Sequence, residues 1–173
     1  MPDKNDILVK TLQDALQQAQ KYIIAGILSA ALFILVDNKA PELLRSGDRV
    51  DIPQLGKVPS GVAAIVLFSG YFVFCFLAIS VIRRIRKIAS QIDNKEIRSA
   101  ALTQFSIVTV ESRLLRIITV LIAPALLSAS IFIERSRGAT PSLLAIIVAF
   151  PLLFLPYLFL LYQVLTPIKK EEV

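Results

Sequence analysis

Four long apolar runs, over residues 22–36, 59–82, 114–133 and 142–165, alternate with charged segments, and they constrain this chain more than any other feature. A helix rising about 1.5 Å per residue needs ~20 mainly apolar residues to cross a hydrocarbon layer of ~30 Å. The second run contains no charged side chain between Val58 and Arg83, the third none between Arg116 and Glu134, and the fourth none between Pro141 and Ile168. The first run is shorter: the 15 residues between Lys21 and Asp37 cover roughly 22 Å at the helical rise. Ile23, Ile24, Ile27, Leu28, Leu32, Phe33, Ile34 and Leu35 nevertheless surround the helix with apolar side chains, where a soluble amphipathic helix would keep a polar face. The expected spans are therefore 22–37, 59–82, 114–133 and 142–165. The first is expected to be retained rather than removed as a signal peptide.

With 55% hydrophobic and 18% charged residues in a chain of 173, little remains for a separate soluble domain. The expected fold is all-α: a single membrane domain over 1–173, built as an integral membrane four-helix bundle. An N-terminal amphipathic helix precedes the bundle, and a cytoplasmic helical hairpin over 83–113 joins spans 2 and 3. The one cysteine, Cys75, lies inside the second span and no Asn-x-Ser/Thr sequon occurs, so neither disulfides nor glycosylation is implied.

Charge distribution sets the orientation. With four spans, 13 of the 19 lysines and arginines fall on the side shared by the termini and the central segment, and six on the other. Basic residues are retained on the cytoplasmic side, which places both termini inside. Arg83, Arg84, Arg86 and Lys87 stand immediately beyond the second span. There they act as topology determinants and as attractors of anionic lipid headgroups, at about 1 kcal/mol per residue. The net charge of +6 follows from topology, and no nucleic-acid partner is expected.

Residues 3–21 carry Leu8, Leu12, Ala15, Leu16 and Ala19 at helical spacings of three and four, opposite Lys10, Gln13, Asp14, Gln17 and Gln20. With no aromatic residue before Tyr22, this helix suits packing on protein better than binding a membrane surface. The expected partner is the cytoplasmic helix pair of the same chain. In that pair Ile82, Ile85, Ile88, Ala89 and Ile92 continue the period of span 2, Asp93-Asn94 breaks it, and residues 95–116 return. A second copy or another protein is the alternative partner, with Leu8, Leu12, Leu16, Ile85, Ile88 and Ile92 as the interaction candidates.

Outside, residues 37–44 are expected to prolong the first helix past Pro41, Ser46-Gly47-Asp48 to turn, and residues 50–58 to form an extended or hairpin-like piece. Val50, Ile52, Leu55 and Val58 would then cap the bundle. Within the spans, Ala25, Gly26, Ser29 and Ala30 form a small-residue face. Gly61, Ala64, Ser69 and Gly70 dot the second helix, and Ala123, Ala125 and Ala129 line the third; such faces let helices approach closely. Pro124, Pro151 and Pro156 each remove a backbone donor, and Tyr22, Tyr157 and Tyr162 are expected at the interfaces.

The clear spans contain no ionisable Asp, Glu, Lys or Arg, and the chain has no histidine. Proton relays, intramembrane metalloproteolysis and zinc sites thereby lose their customary residues, so no catalytic residue, cofactor or metal site is expected. The tract from Ile52 to Pro59, Ile-Pro-Gln-Leu-Gly-Lys-Val-Pro, leads directly into a span without implying a chemistry. The functional expectation is a non-enzymatic multi-pass membrane component that docks onto a protein partner or onto copies of itself through its cytoplasmic helices. The alternative is a homo-oligomeric pore, channel or membrane-disrupting effector, and the third reading is a lipid-handling membrane enzyme.

Overall fold

The computed structural model describes the backbone of residues 4–46, 49–52, 56–92, 94–102, 112–136 and 143–166. Among these are five helices and one hairpin: α1 Lys4–Ser46, β1 Arg49–Ile52, β2 Gly56–Pro59, α2 Ser60–Ser90, α3 Lys95–Leu102, α4 Arg113–Ser136 and α5 Leu143–Leu165. Two of the helices, over Asn5–Val36 and Gly61–Ser90, are long and apolar enough to cross a membrane.

α1 merges the amphipathic segment and the first apolar run into one helix of 43 residues, about 64 Å long at the ideal rise. Nothing interrupts it near Lys21, because the sequence there offers Ala, Gln, Lys and Tyr rather than a glycine, a proline or a capping residue. Its buried residues, Leu12, Ala15, Leu16, Ala19, Ile23, Gly26 and Ala30, run as one stripe at spacings of three and four straight through the junction.

That stripe zips antiparallel onto α2, whose buried side is Ala63, Leu67, Tyr71, Cys75, Ala78, Ile82, Ile85, Ala89 and Ile92. Contacts fix the register. The Tyr22 and Phe74 rings stack at 6.4 Å, Phe33 meets Phe68 at 5.7 Å, and Val36 shares a cluster with Ala63 and Leu67. Close approach rests on small residues: a Cβ built on Gly70 would fall 3.3 Å from Ser29 Oγ. The α1 face of Gly26, Ser29 and Ala30 is thus buried as expected. On α2 the expectation fails for Gly61 and Ser69, which are exposed, and Ala63 takes their place in the core. On α4, Ala123 is buried while Ala125 and Ala129 face outward.

The remaining helices complete a ring in the order α1, α2, α5, α4, since α4 packs on α1 and α5, and α5 packs on α2. α4 buries Val120, Ala123, Pro124, Leu127 and Ser128. α5 buries Leu153, Tyr157, Leu160 and Val164, while Leu152, Leu155, Leu158 and Tyr162 face outward. Exposure also changes character along α1. Beyond Lys21 the exposed residues are Ile24, Leu28, Leu32 and Leu35, whereas before it they are chiefly Asp6, Lys10, Asp14, Gln17 and Gln18. On α2 the same change falls between Leu77 and Arg83.

The connection from α2 to α4 begins as the expected hairpin does, with a break followed by a returning helix. α2 ends at Ser90, and Asn94 caps the next helix, its Oδ1 accepting from the Glu96 and Ile97 amides at 2.9 and 3.3 Å. The break at Asp93-Asn94 therefore stands where the asparagine side chain satisfies orphan donors. The described part of the returning helix, Lys95–Leu102, lies against α1. It contributes Ala101 to the core, with Ile97 and Leu102 beside it. Residues 103–111, which the sequence assigns to the returning arm, lie outside the described residues, as do Gly47 and Asp48 of the expected turn.

On the opposite end α1 does continue past Pro41, and β1 and β2 form the expected hairpin-like pair, with Pro53, Gln54 and Leu55 outside the described residues. β1 and β2 pair antiparallel with Val50 opposite Val58 and Ile52 opposite Gly56. Gly56 has φ +71°, a left-handed conformation that side-chain-bearing residues resist. Val58 packs against the Val36, Ala63 and Leu67 cluster, closing that end of the bundle.

Because Leu16 is fully enclosed between helices, Leu16→Ala is expected to cost ~2–5 kcal/mol. Gln17→Ala, on the exposed side of the same turn, should change stability by less than about 0.5 kcal/mol. Thermal unfolding of the two variants in detergent provides the comparison.

Candidate functional site

The six apolar residues expected to present a docking stripe are brought together, but against one another. Leu12, Leu16, Ile85, Ile88 and Ile92 are buried in a single core and Leu8 is packed beside it. The register that pairs Ser29 with Gly70 also sets Leu12 and Leu16 alongside Ile85, Ile88 and Ile92. Neither helix can leave such a face in water when the other supplies a matching one, at roughly 25 cal/mol per Å² of apolar surface. These residues are therefore an internal framework in this conformation. What α1 presents outward over the same stretch is Lys10, Asp14, Gln17 and Gln18.

The four cations beyond the apolar part of α2 divide by orientation. Arg84 and Lys87 are exposed, and Arg83 is exposed with its guanidinium 5.4 Å from the centroid of the Phe159 ring. Arg86 turns the other way, into the bundle. Its Nη2 donates to the Gln163 carbonyl and, at 3.3 Å, to the Thr166 carbonyl. Arg116 of α4 donates to the Val164 carbonyl at 3.3 Å. The last turn of a helix leaves carbonyls without intrahelical partners and carries the negative end of the helix dipole. Here guanidinium groups from two neighbouring helices meet those carbonyls, and the Thr166 amide and hydroxyl both donate to Tyr162, at 3.0 and 2.6 Å. Arg86 thus clamps the end of α5. Its Nε, and the side-chain oxygen of the buried Gln163, have no hydrogen-bond partner among the described residues.

A second polar constellation lies in the middle of the bundle. Tyr71 of α2 and Tyr157 of α5 stack with ring centroids 4.6 Å apart and an interplanar angle of 23°. Each hydroxyl donates to the other helix: Tyr71 to the Leu153 carbonyl at 2.6 Å, and Tyr157 to the Tyr71 carbonyl at 3.2 Å. Pro156 has no amide to offer the Leu152 carbonyl, so a donor from α2 enters α5 one residue from the place where the helix ladder is interrupted. Tyr157 is consequently a core residue, which corrects its expected place at the interface; Tyr162 remains exposed. Gly26 exists to admit this ring, since a Cβ there would lie 2.6 Å from Tyr157 Oη.

Chemically, the first constellation offers hydrogen bonds and positive charge, and the second offers hydrogen bonds between neutral groups. Ser128 donates back to its own helix, to the Pro124 carbonyl at 2.8 Å. Cys75 is a buried free thiol, and among the described residues no three His, Cys, Asp or Glu side chains gather where they could hold a metal ion. Sequence reasoning missed the tyrosine pair, Arg116 and Gln163. The available signal was a tyrosine next to Pro156, where the missing amide leaves a gap in the hydrogen-bond ladder of α5.

The steric relation gives a double-mutant test. Gly26→Ala is expected to lower stability by ~1–3 kcal/mol, and by clearly less in a Tyr157→Phe background, where the opposing oxygen is gone. Non-additivity of the unfolding free energies in detergent checks it. At the clamp, Arg86→Ala should cost about 2 kcal/mol, as expected for hydrogen bonds from a charged donor. Arg84→Ala, one residue away and exposed, should be near neutral in the same assay.

Comparison with protein-family models, curated proteins and solved structures yields no match for this chain.

Proposed function

We propose that this chain is a non-enzymatic, four-span integral membrane protein that serves as an interaction or assembly component through its cytoplasmic helices. In this reading α1, α2, α4 and α5 all cross the bilayer, and both termini and the α2–α4 connection are cytoplasmic. The basic excess on that side supports the orientation. The outward apolar side chains of all four helices, among them Leu28, Phe76, Ile118 and Leu158, support the spanning.

One observation carries the assembly role. α1 and α2 remain packed well past the point where their exposed residues turn polar, with Leu12, Leu16, Ile85 and Ile92 enclosed between them. Some 16 residues of α1 stand in this stalk, about 24 Å of helix, which spanning a bilayer does not require. Its outer face, Lys10, Asp14, Gln17 and Gln18, offers charge and hydrogen bonds on a rigid support, so the partner surface is polar. The pore alternative draws no support from the buried serines: Ser29 packs against Gly70, and Ser128 bonds within α4.

Two measurements test the reading. Native mass spectrometry of tagged protein extracted gently from its host membrane should give a stoichiometric complex with a foreign chain or a second copy. The complex should be lost on Lys10→Glu with Gln17→Glu; a bare monomer would overturn the assembly role. For topology, Gln17→Cys should react with an impermeant thiol reagent only after the membrane is permeabilised, and Lys57→Cys should react from outside. The native Cys75 is buried and leaves the background low.

A further inference from the structure

We infer that the inner-leaflet end of the α2–α5 seam binds one anionic phospholipid, with Arg83, Arg84 and Lys87 receiving the headgroup phosphate. The inference rests on the membrane reading above and adds a located site and a lipid class to it.

The three cations fall on one side of α2, at positions i, i+1 and i+4, and all are exposed. They continue the line of Phe76, which is 60% exposed about two to three turns toward the bilayer centre. From Phe76 to Arg84 is about 12 Å along the helix, so a phosphate at the cations leaves an acyl chain lying over outward apolar side chains. The facing helix supplies the matching wall, with Phe159 and Tyr162 both exposed on α5. Arg83 joins the two helices at this level through its guanidinium over the Phe159 ring. The ring holds the cation at the seam, which reduces the side-chain freedom lost when a phosphate binds.

Charge identifies the occupant. Neither α2 nor α5 contains an Asp or Glu in its entire length, so the seam supplies no internal counter-ion to these cations. Arg86, the fourth member of the basic run, is already engaged by the end of α5. The sequence thus places four cations in five positions, and the fold reserves three for an external anion. An acidic protein would have to reach them at the level where the apolar face of α2 begins, whereas a phospholipid presents its phosphate there by construction.

The test is retention of added lipid by purified protein in neutral detergent micelles, read by native mass spectrometry. Phosphatidylglycerol should be retained as a single adduct, in clear preference to phosphatidylcholine, and soluble glycerol phosphate should not displace it. Replacing the three cations, Arg83→Gln, Arg84→Gln and Lys87→Gln, should weaken retention on the order of a hundredfold. Phe159→Leu should weaken it about threefold. Lys10→Gln with Lys21→Gln, remote from the seam, should leave it unchanged. Equal retention by the triple variant, or displacement by glycerol phosphate, would overturn the site. The chain's own Glu171 and Glu172 are tested as rival occupants with Glu171→Gln and Glu172→Gln, for which unchanged retention is expected. A tenfold gain would mean that the tail fills the patch, and would also overturn the proposal. Alkaline carbonate extraction separates this from the membrane reading: release of wild-type protein would refute the latter, whereas membrane-retained protein without lipid preference refutes only the site.

Discussion

The antiparallel seam between α1 and α2 is the constraint on which the rest of the molecule depends. It extends from Val36 and Ala63 at one end to Leu8 and Ile92 at the other, and it crosses from an apolar setting to a polar one without a change of register. In the apolar part, under the membrane reading proposed above, burial cannot drive the helices together, because lipid would solvate leucine equally well. Close approach through Gly26, Ser29, Ala30 and Gly70 supplies the attraction there instead. In the polar part the hydrophobic effect operates in full, and the contact residues accordingly become Leu and Ile. One seam thus uses two driving forces, each where its physics holds.

α5 poses the opposite problem. Two internal prolines deprive its ladder of donors, and its outer surface is lipid-like rather than complementary to a partner. Position is set by donors from its neighbours, with tyrosine at mid-height and guanidinium at the C-terminal end. These bonds are directional where apolar contacts are not. They select one rotation and one height for a helix that leucine and phenylalanine packing alone would leave free to slide.

The sequence made the helices and the hairpin legible because their signals are local. Period, composition and the breaks at Asp93-Asn94 and Gly56 each act within a few residues. It also pointed to the cytoplasmic helix pair as the partner of the N-terminal amphipathic stripe, and among the described residues the tail of α2 and the start of α3 both pack on it. What remained hidden was relational. That Arg86 turns inward while Arg84 turns outward depends on where α5 ends in space, a property of three helices and not of the basic run itself. Tyr157 reads as an interface residue until Gly26, more than a hundred positions earlier, is seen to leave room for it. The seam of α2 with α5 likewise joins residues too distant in sequence for any local pattern to report.

The unbroken course of α1 has a mechanical meaning. A helix cannot hinge in its interior without breaking consecutive backbone hydrogen bonds, so this one transmits displacement as a rod. The β1–β2 hairpin follows one end of it, and the Lys10 and Gln17 face lies near the other. A tilt imposed at the hairpin would therefore reach the Lys10 and Gln17 face undamped, with the close contact of Gly26 and Tyr157 lying between the two ends as the natural point of support.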